Sequence, residues 1–285
     1  MQDIIKKTEV LLEALPYINA FRKKVFVIKY GGSILDDPEI RSNIFQDIIF
    51  LSYVGIRTIL VHGGGPHISS RLKATGKEAV FHDGIRVTDK ETLKIVSEEL
   101  GKLNHQIVEE FKTLNGDVTG LKGHENIIYV EKKQAPKDLG FVGTITAVEK
   151  ETIEEHLHKG LITVLSPMGV STDQQPHNVN ADEVASAIAI SLKAEKLVFF
   201  TNVPGVLRNP AEPDSLISTL NARTIKNLIE EEVIAAGMIP KVKAGLEAVS
   251  LGVTKTHIID AQVKHALLLE IFTDKGIGTQ IVKEL

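Results

Sequence analysis

Lys23-Lys-Val-Phe-Val-Ile-Lys-Tyr-Gly-Gly32 decides the fold class of this 285-residue chain. Val25 to Ile28 is continuously apolar, without polar alternation, and two glycines close the run. That pattern marks a short strand buried on both faces and ending in a tight turn. Downstream, Asp37-Pro38 supplies a helix N-cap and a first-turn proline. Ile40, Ile44, Phe45, Ile48 and Ile49 then recur at helical spacing, and Gly55 ends the segment. Arg57-Thr-Ile-Leu-Val61 is a second buried strand, running into Gly63-Gly64-Gly65-Pro66. A strand, helix, strand unit of this kind implies a parallel sheet covered by helices.

The same alternation extends outward. Upstream, Ile4, Ile5, Val10, Leu11, Leu12, Leu15 and Ile18 predict a helix that Pro16 interrupts or kinks. Downstream, Leu93, Val96, Leu100, Leu103, Ile107, Phe111 and Leu114 predict a long helix, with Thr88 and Glu91 as its capping box and Asn115-Gly116 as its stop. Residues 117–150 lack helical periodicity and are read as hairpin structure over the main sheet. Leu161–Leu165, Leu197–Phe200 and Thr256–Ile259 are further buried strands. Helices are predicted from Asp182 to about Leu192, over 221–235 and from Pro240, and the stretch from Pro210 to Pro213 as an exposed loop. The expected fold is α/β, a three-layer α/β/α sandwich with one mainly parallel central sheet.

The balance of 33 Lys and Arg against 37 Asp and Glu gives a net charge of −4, without the basic excess that tracks nucleic-acid phosphates. Zero cysteines exclude disulfides, thiolate nucleophiles and Cys-based zinc sites. The opening Met1-Gln-Asp-Ile-Ile-Lys-Lys7 lacks the features of a secretory signal, and no run approaches the length of a membrane span, so a soluble, cytoplasmic protein is expected.

Ligands of open α/β sheets sit beyond the carboxyl ends of the strands. Three glycine-bearing segments fall at such ends: Lys29-Tyr-Gly31-Gly32, His62-Gly-Gly-Gly-Pro66 and Thr201-Asn-Val-Pro-Gly205. Any one of them alone reads as a tight turn. Three on successive strands point to a cradle of backbone N–H groups for phosphate or carboxylate. Neither a Gly-x4-Gly-Lys-Ser/Thr loop nor a Gly-x-Gly-x-x-Gly fingerprint is present, which argues against P-loop nucleotidases and Rossmann dehydrogenases. Glycines and a proline, rather than a helical turn, separate His62 from His67, and no metal site is expected there.

Lys29-Tyr-Gly-Gly32, His62-Gly-Gly-Gly-Pro66, Asp83-Gly-Ile-Arg-Val-Thr-Asp89, Asn178-Val-Asn-Ala-Asp182, Thr201-Asn-Val-Pro-Gly-Val-Leu207 and Met238-Ile-Pro-Lys241 occur in the order found in the amino acid kinase family, which the chain resembles from Lys23 to Val282. The Asp83 to Asp89 stretch resembles those members that phosphorylate N-acetyl-L-glutamate early in arginine biosynthesis. The resemblance implies transfer of the γ-phosphoryl group of ATP, carried with Mg2+, to the side-chain carboxylate of that acceptor. Lys29 and Lys241 match the family's stabilisers of the transition state, near the attacking and leaving sides respectively, and Asp182 matches the carboxylate that holds them. Arg86 and Asn178 match contacts to the acceptor, with Gly64 and Gly65 offering backbone N–H groups. Gly31, Gly32, Asn202, Val206, Leu207 and Met238 match the nucleotide site. Taken singly, each lysine also reads as a solvated charge and Asp182 as an acid at a helix N-terminus.

Two departures stand out: Asn202 replaces the usual aspartate, and Ala236-Gly237-Met238 replaces the usual Gly-Gly-Met. Rival readings are a kinase for a related acylated amino acid and a non-catalytic subunit that senses arginine or a nucleotide. The resemblance further divides the chain into an N-terminal oligomerisation helix over 1–22, a lobe over 23–195 for acceptor binding and phosphoryl transfer, and a nucleotide lobe over 196–285. The stretch from His265 to Thr279 resembles the inhibitor segment of arginine-sensitive members, which form homohexamers as trimers of dimers. It implies an arginine site made of Lys196, His265, Glu270, Gly276 and Gly278. Neither a nucleic acid nor a membrane is an expected partner.

Overall fold

The computed structural model describes residue 9 and residues 12–234, 237–273 and 276–284. Its elements begin with α1 (Leu15–Phe21), β1 (Val25–Tyr30), α2 (Pro38–Tyr53), β2 (Arg57–His62), α3 (Gly65–Ala74), β3 (Phe81–His82), β4 (Ile85–Arg86) and α4 (Lys90–Thr113). The middle of the chain forms β5 (Val118–Lys122), β6 (Ile128–Lys132), β7 (Gly143–Val148), α5 (Lys150–His158), β8 (Ile162–Ser166), β9 (Met168–Val170) and β10 (Pro176–Asn178). It closes with α6 (Ala181–Ser191), β11 (Lys196–Thr201), β12 (Thr219–Leu220), α7 (Ala222–Glu230), α8 (Ile239–Ser250), β13 (Lys255–Asp260), α9 (Ala266–Ile271) and β14 (Thr279–Ile281).

Eight strands form one sheet in the order β12-β14-β13-β11-β1-β2-β8-β5. β1 lies between β2 and β11 and is parallel to both. β14 runs antiparallel to β13, and β12 follows β14. Alternate side chains supply two cores, as the period of a strand requires. Val27, Ile59, Val61, Leu197 and Phe199 pack with α5, α6, α7 and α8 on one face. Phe26, Ile28, Tyr30, Leu60 and Val198 pack with α2, α4 and α9 on the other. There Phe45 and Phe111 stack at 4.3 Å between ring centres, joining α2 to α4. These are the three layers expected of a buried parallel sheet. Among the described residues no helix is long and apolar enough to cross a membrane.

Local chemistry sets the ends of the elements. The Asp37 side chain accepts from the N–H groups of Glu39 and Ile40 and starts α2. Gly55, at φ 88°, adopts the left-handed backbone that stops it. Pro16 lies in the first turn of α1 after a turn at Ala14, the expected break in the N-terminal run. Ile4, Ile5, Val10 and Leu11 of that run lie outside the described residues.

Three readings need correction. The cap of α4 is Asp89, which accepts from Thr92 N–H at 2.8 Å, and not Thr88 with Glu91. A carboxylate is the better acceptor, Thr88 is buried, donating to the Arg86 carbonyl, and Glu91 turns out to Lys77. The helix predicted over 221–235 ends at Glu230, because Glu230-Glu231-Glu232 puts negative charge at the negative end of the helix, and Glu232 takes φ 58°. Residues 117–150 do supply the β6/β7 hairpin of a second sheet, ordered β10-β9-β6-β7, but Val118–Lys122 joins the main sheet beside β8.

Candidate active site

After β1 the chain fills the sheet on the β2 side and later returns to β11 on the other, so the carboxyl end of β1 is a topological switch point. The glycine turns after β1 and β2 meet there. Gly63 N–H donates to the Tyr30 carbonyl at 2.7 Å, and a Cβ on Gly31 would sit 3.2 Å from the Gly63 Cα. Gly32 has φ 79°, a conformation suited to glycine. The first turn of α6 carries Asp182 and that of α8 carries Lys241, which brings two helix N-termini to the end of β1. Asn180 caps α6 by accepting from Asp182 N–H at 2.8 Å.

The three residues expected to be catalytic form one buried cluster. Lys29 Nζ lies 2.9 Å from Asp182 Oδ1, and Lys241 Nζ lies 2.6 Å from Oδ2. Burial alone would raise the Asp182 pKa, but the two ammonium groups outweigh it and hold the carboxyl below its usual range. The pKa of Lys241 is lowered by burial and by repulsion from Lys29, which together exceed the pull of Asp182. One carboxylate therefore supports two cations, leaving a local excess of positive charge.

Arg86 comes from β4 and is buried. Its NH2 nitrogen donates to the Gly65 carbonyl at 3.0 Å and to Ser69 Oγ at 2.8 Å, while the Phe81 ring lies 4.7 Å from its guanidinium carbon. Its NH1 nitrogen is buried without a protein acceptor among the described residues, so half of the guanidinium fork is left unpaired. Asn178 on β10 donates to Thr88 Oγ1 at 3.1 Å. A Cβ on Gly64 would lie 2.6 Å from Leu100 Cδ2, so a larger residue there would have to displace the end of that side chain on α4. Ser69 and Thr88, whose hydroxyls accept from Arg86 and Asn178, are partners that sequence reasoning missed. Nothing in the sequence signals that they meet Arg86 and Asn178, which lie 17 and 90 residues away.

On the β11 side, Thr201 Oγ1 donates to the Val203 carbonyl and Asn202 is exposed, its carbonyl accepting from Gln262. Val206 is a core residue whose N–H donates to Thr279 Oγ1, and Leu207 bridges to Leu216. Met238 is half-buried at the start of α8, and Ala236 lies outside the described residues. His67 lies 3.5 Å from Asp36, away from His62. Among the described residues no three His, Asp or Glu side chains are grouped to hold a metal.

A second buried cluster lies at the start of β11 and β13. Lys196 Nζ is 2.9 Å from His257 Nε2, and His257 Nδ1 is 2.6 Å from Glu270 Oε1. Glu270 Oε2 accepts from the N–H groups of Ile277 and Gly278 at 2.6 and 3.0 Å, and Gly276 turns beside it at φ 60°. Burial lowers the Lys196 pKa to about 8. The structure thus brings Lys196, Glu270, Gly276 and Gly278 together through His257, which sequence reasoning missed. His265 instead pairs with Asp47 of α2 at 2.6 Å.

A family model described as amino acid kinase matches residues 24–260. An acetylglutamate kinase of Syntrophomonas wolfei is 46% identical over 282 residues, 98% of this chain and 98% of that protein. Among solved structures, N-acetylglutamate synthase of Neisseria gonorrhoeae complexed with coenzyme A and N-acetyl-glutamate superposes with a TM-score of 0.86 at 27% identity. The match covers 98% of this chain and 64% of the synthase chain. The synthase complexed with coenzyme A and L-arginine gives a TM-score of 0.84 at 27% identity, covering 97% of this chain and 65% of that one.

Proposed function

Because the chain belongs to the amino acid kinase family, we propose that it is an acetylglutamate kinase, transferring the γ-phosphoryl group of ATP to the side-chain carboxylate of N-acetyl-L-glutamate. The observation that carries this reading is the pairing of Lys29 and Lys241 through Asp182 at the end of β1. An acceptor carboxylate oxygen attacks the γ-phosphorus and the bond to the β–γ bridging oxygen breaks, giving an acyl phosphate and ADP. No proton need move. The protein's task is positioning and charge neutralisation, for which preorganised cations suit the spreading negative charge. Lys29 serves the attacking side and Lys241 the leaving side, while Asp182 keeps both in place. Each Asp182 oxygen lies within 3 Å of a lysine, so this carboxylate would not hold magnesium, which would be carried by the nucleotide and would supply further charge neutralisation. Gly31 and Gly32 face those phosphates, and Asn202, Leu207 and Met238 border the nucleotide above the core residue Val206. Arg86, through its unpaired NH1, and Asn178 hold the acceptor, with backbone donors at Gly64 and Gly65.

The test is a coupled assay of MgATP with N-acetyl-L-glutamate, glutamate and aspartate, the acyl phosphate being trapped with hydroxylamine. Turnover with the acetylated acceptor far above the other two is expected. Equal specificity constants for glutamate and N-acetylglutamate would overturn the acceptor, and no turnover with any of them would favour a sensing subunit.

We also infer regulation by L-arginine at the Lys196, His257 and Glu270 cluster, in a homohexamer built through the N-terminal helix. Buried charge beside a glycine turn suits a guanidinium ligand. Tyr17 of α1 packs edge-on against Phe272 at 6.1 Å, and Lys196 Nζ lies 5.2 Å from the Phe21 ring, so the cluster touches that helix. Leu12 and Leu15 expose apolar side chains there. Deleting residues 1–20 is expected to convert hexamer to dimer in sedimentation and to weaken arginine inhibition. A full-length dimer indifferent to millimolar arginine would refute it.

A further inference from the structure

His62 closes β2 immediately before the glycine turn and is fully buried. Its Nδ1 lies 2.9 Å from the Gly63 carbonyl oxygen, an acceptor only, so Nδ1 carries the proton. Nε2 is then bare and accepts from Asn104 Nδ2 at 3.3 Å. Asn104, on α4, is held in turn by donating to the carbonyl of Val164 on β8 at 3.2 Å. Its side chain fits only because residue 120 is glycine, since a Cβ there would be 2.5 Å from Asn104 Oδ1. Burial keeps the ring neutral by lowering its pKa to about 4.

The Gly63 carbonyl and the Gly64 N–H belong to one peptide group, and in a trans peptide they point in opposite directions. His62 shares the sheet face of Leu60, toward α2 and α4, whereas Lys29 shares the opposite face, that of Val27. Drawing the Gly63 oxygen toward the imidazole therefore turns the Gly64 N–H toward the face of the two lysines. Among the described residues the Gly64 N–H has no protein acceptor. The neighbouring groups are committed: Gly63 N–H to Tyr30, and the Gly64 carbonyl to Ile68 N–H of α3.

We propose that His62, set by Asn104, is a positioning residue that orients the Gly63–Gly64 peptide so that the Gly64 N–H donates to the reacting carboxylate or phosphoryl oxygens. This rests on the kinase reading and deepens it. His62 touches no reacting atom, and its effect reaches the substrate through one backbone amide.

The tests are His62→Asn and His62→Leu, with nitrogen-15 spectroscopy of the parent imidazole. Asparagine places an N–H where Nδ1 stands and keeps the bond to the Gly63 carbonyl, whereas leucine keeps bulk without a donor. The leucine variant is expected to lose roughly 10²-fold in kcat, the scale of a misplaced site group, with the KM for ATP within about twofold of the parent. The asparagine variant should recover most of that loss. Equal turnover in the two folded variants, or a KM for ATP that rises with the loss, would reduce His62 to core packing. The nitrogen spectrum needs no substrate and so separates failure of this inference from failure of the acceptor assignment. A proton on Nδ1 with bare Nε2, unchanged from pH 5 to 8, is expected. A proton on Nε2 would overturn the proposal even if neither variant folded.

Discussion

Replacing Asp182 with asparagine tests the site most directly, because it keeps shape and removes one charge. In the parent, Lys29 and Lys241 approach the two carboxylate oxygens at 2.9 and 2.6 Å. At an effective dielectric constant near 20 each contact is worth about 6 kcal/mol before desolvation is charged against it. In Asp182→Asn both attractions go, and the repulsion between two ammonium groups on the order of 5 Å apart, about 3 kcal/mol in parent and variant alike, is left unopposed. Relaxation and water entry reduce the total toward the 3–5 kcal/mol typical of leaving buried charge unpaired. At roughly 2–3 °C per kcal/mol for a chain of this size, the melting temperature should fall by about 6–15 °C. A polyphosphate anion then takes over part of the carboxylate's work, so MgATP should raise the variant's melting temperature by more than the parent's. Turnover should still drop by roughly 10²-fold or more, because the lysines are no longer preorganised. Scanning fluorimetry with and without MgATP, paired with initial rates, reads all of this. A variant that melts with the parent and turns over within twofold of it would show that Asp182 does not hold the two lysines.

Lys29→Ala and Lys241→Ala should each lower kcat by roughly 10²-fold or more in steady-state assays, the scale of removing one transition-state donor. Circular dichroism should show both variants folded. Arg86→Ala should raise the KM for N-acetylglutamate well above any change in the KM for ATP, and the reverse split would move Arg86 to the nucleotide. His62 should also mark the acid limb of stability. Its folded pKa is lowered from 6.5 to about 4. The unfolded chain therefore binds the extra proton first, and this stability is complete above pH 6.5 and lost as pH falls toward 4. The loss amounts to about 3 kcal/mol, and urea melts of His62→Asn should lack it between those limits.

The strand at Val25–Tyr30 was legible because burial on both faces leaves an unbroken apolar run, and the glycine turns because Gly32 takes a positive φ and Gly31 lies against the Gly63 backbone, constraints that few other residues tolerate. Val118–Lys122 was not legible. It contributes little apolar surface, and Gly120 is there to admit the Asn104 side chain of α4, a tertiary reason with no local pattern. The α4 cap was misread because Thr88 and Asp89 are both good N-caps, and only the fold shows that Thr88 is occupied by Arg86 and Asn178.

The site divides in the same way. Lys29, Asp182 and Lys241 announce themselves by lying beside turn and cap residues, where charge meets backbone N–H groups. Their partnership spans 153 and 59 residues and is visible only once α6 and α8 start side by side. Ser69, Asn104 and His257 carry no such local mark. Each sits inside an ordinary element and acquires its role from what the sheet and its helices bring within hydrogen-bonding distance. His257 shows the reason most plainly. In the strand Lys255–Asp260 it reads as one more residue between Thr256 and Ile258. A buried imidazole there is tolerable because Lys196 and Glu270 meet its two nitrogens from separate elements. Glu270 is in turn held by two backbone N–H groups that only the Gly276 turn presents. Burying one polar side chain in a parallel sheet thus obliges the fold to supply partners from elsewhere, and those partners mark where a ligand of complementary charge would compete.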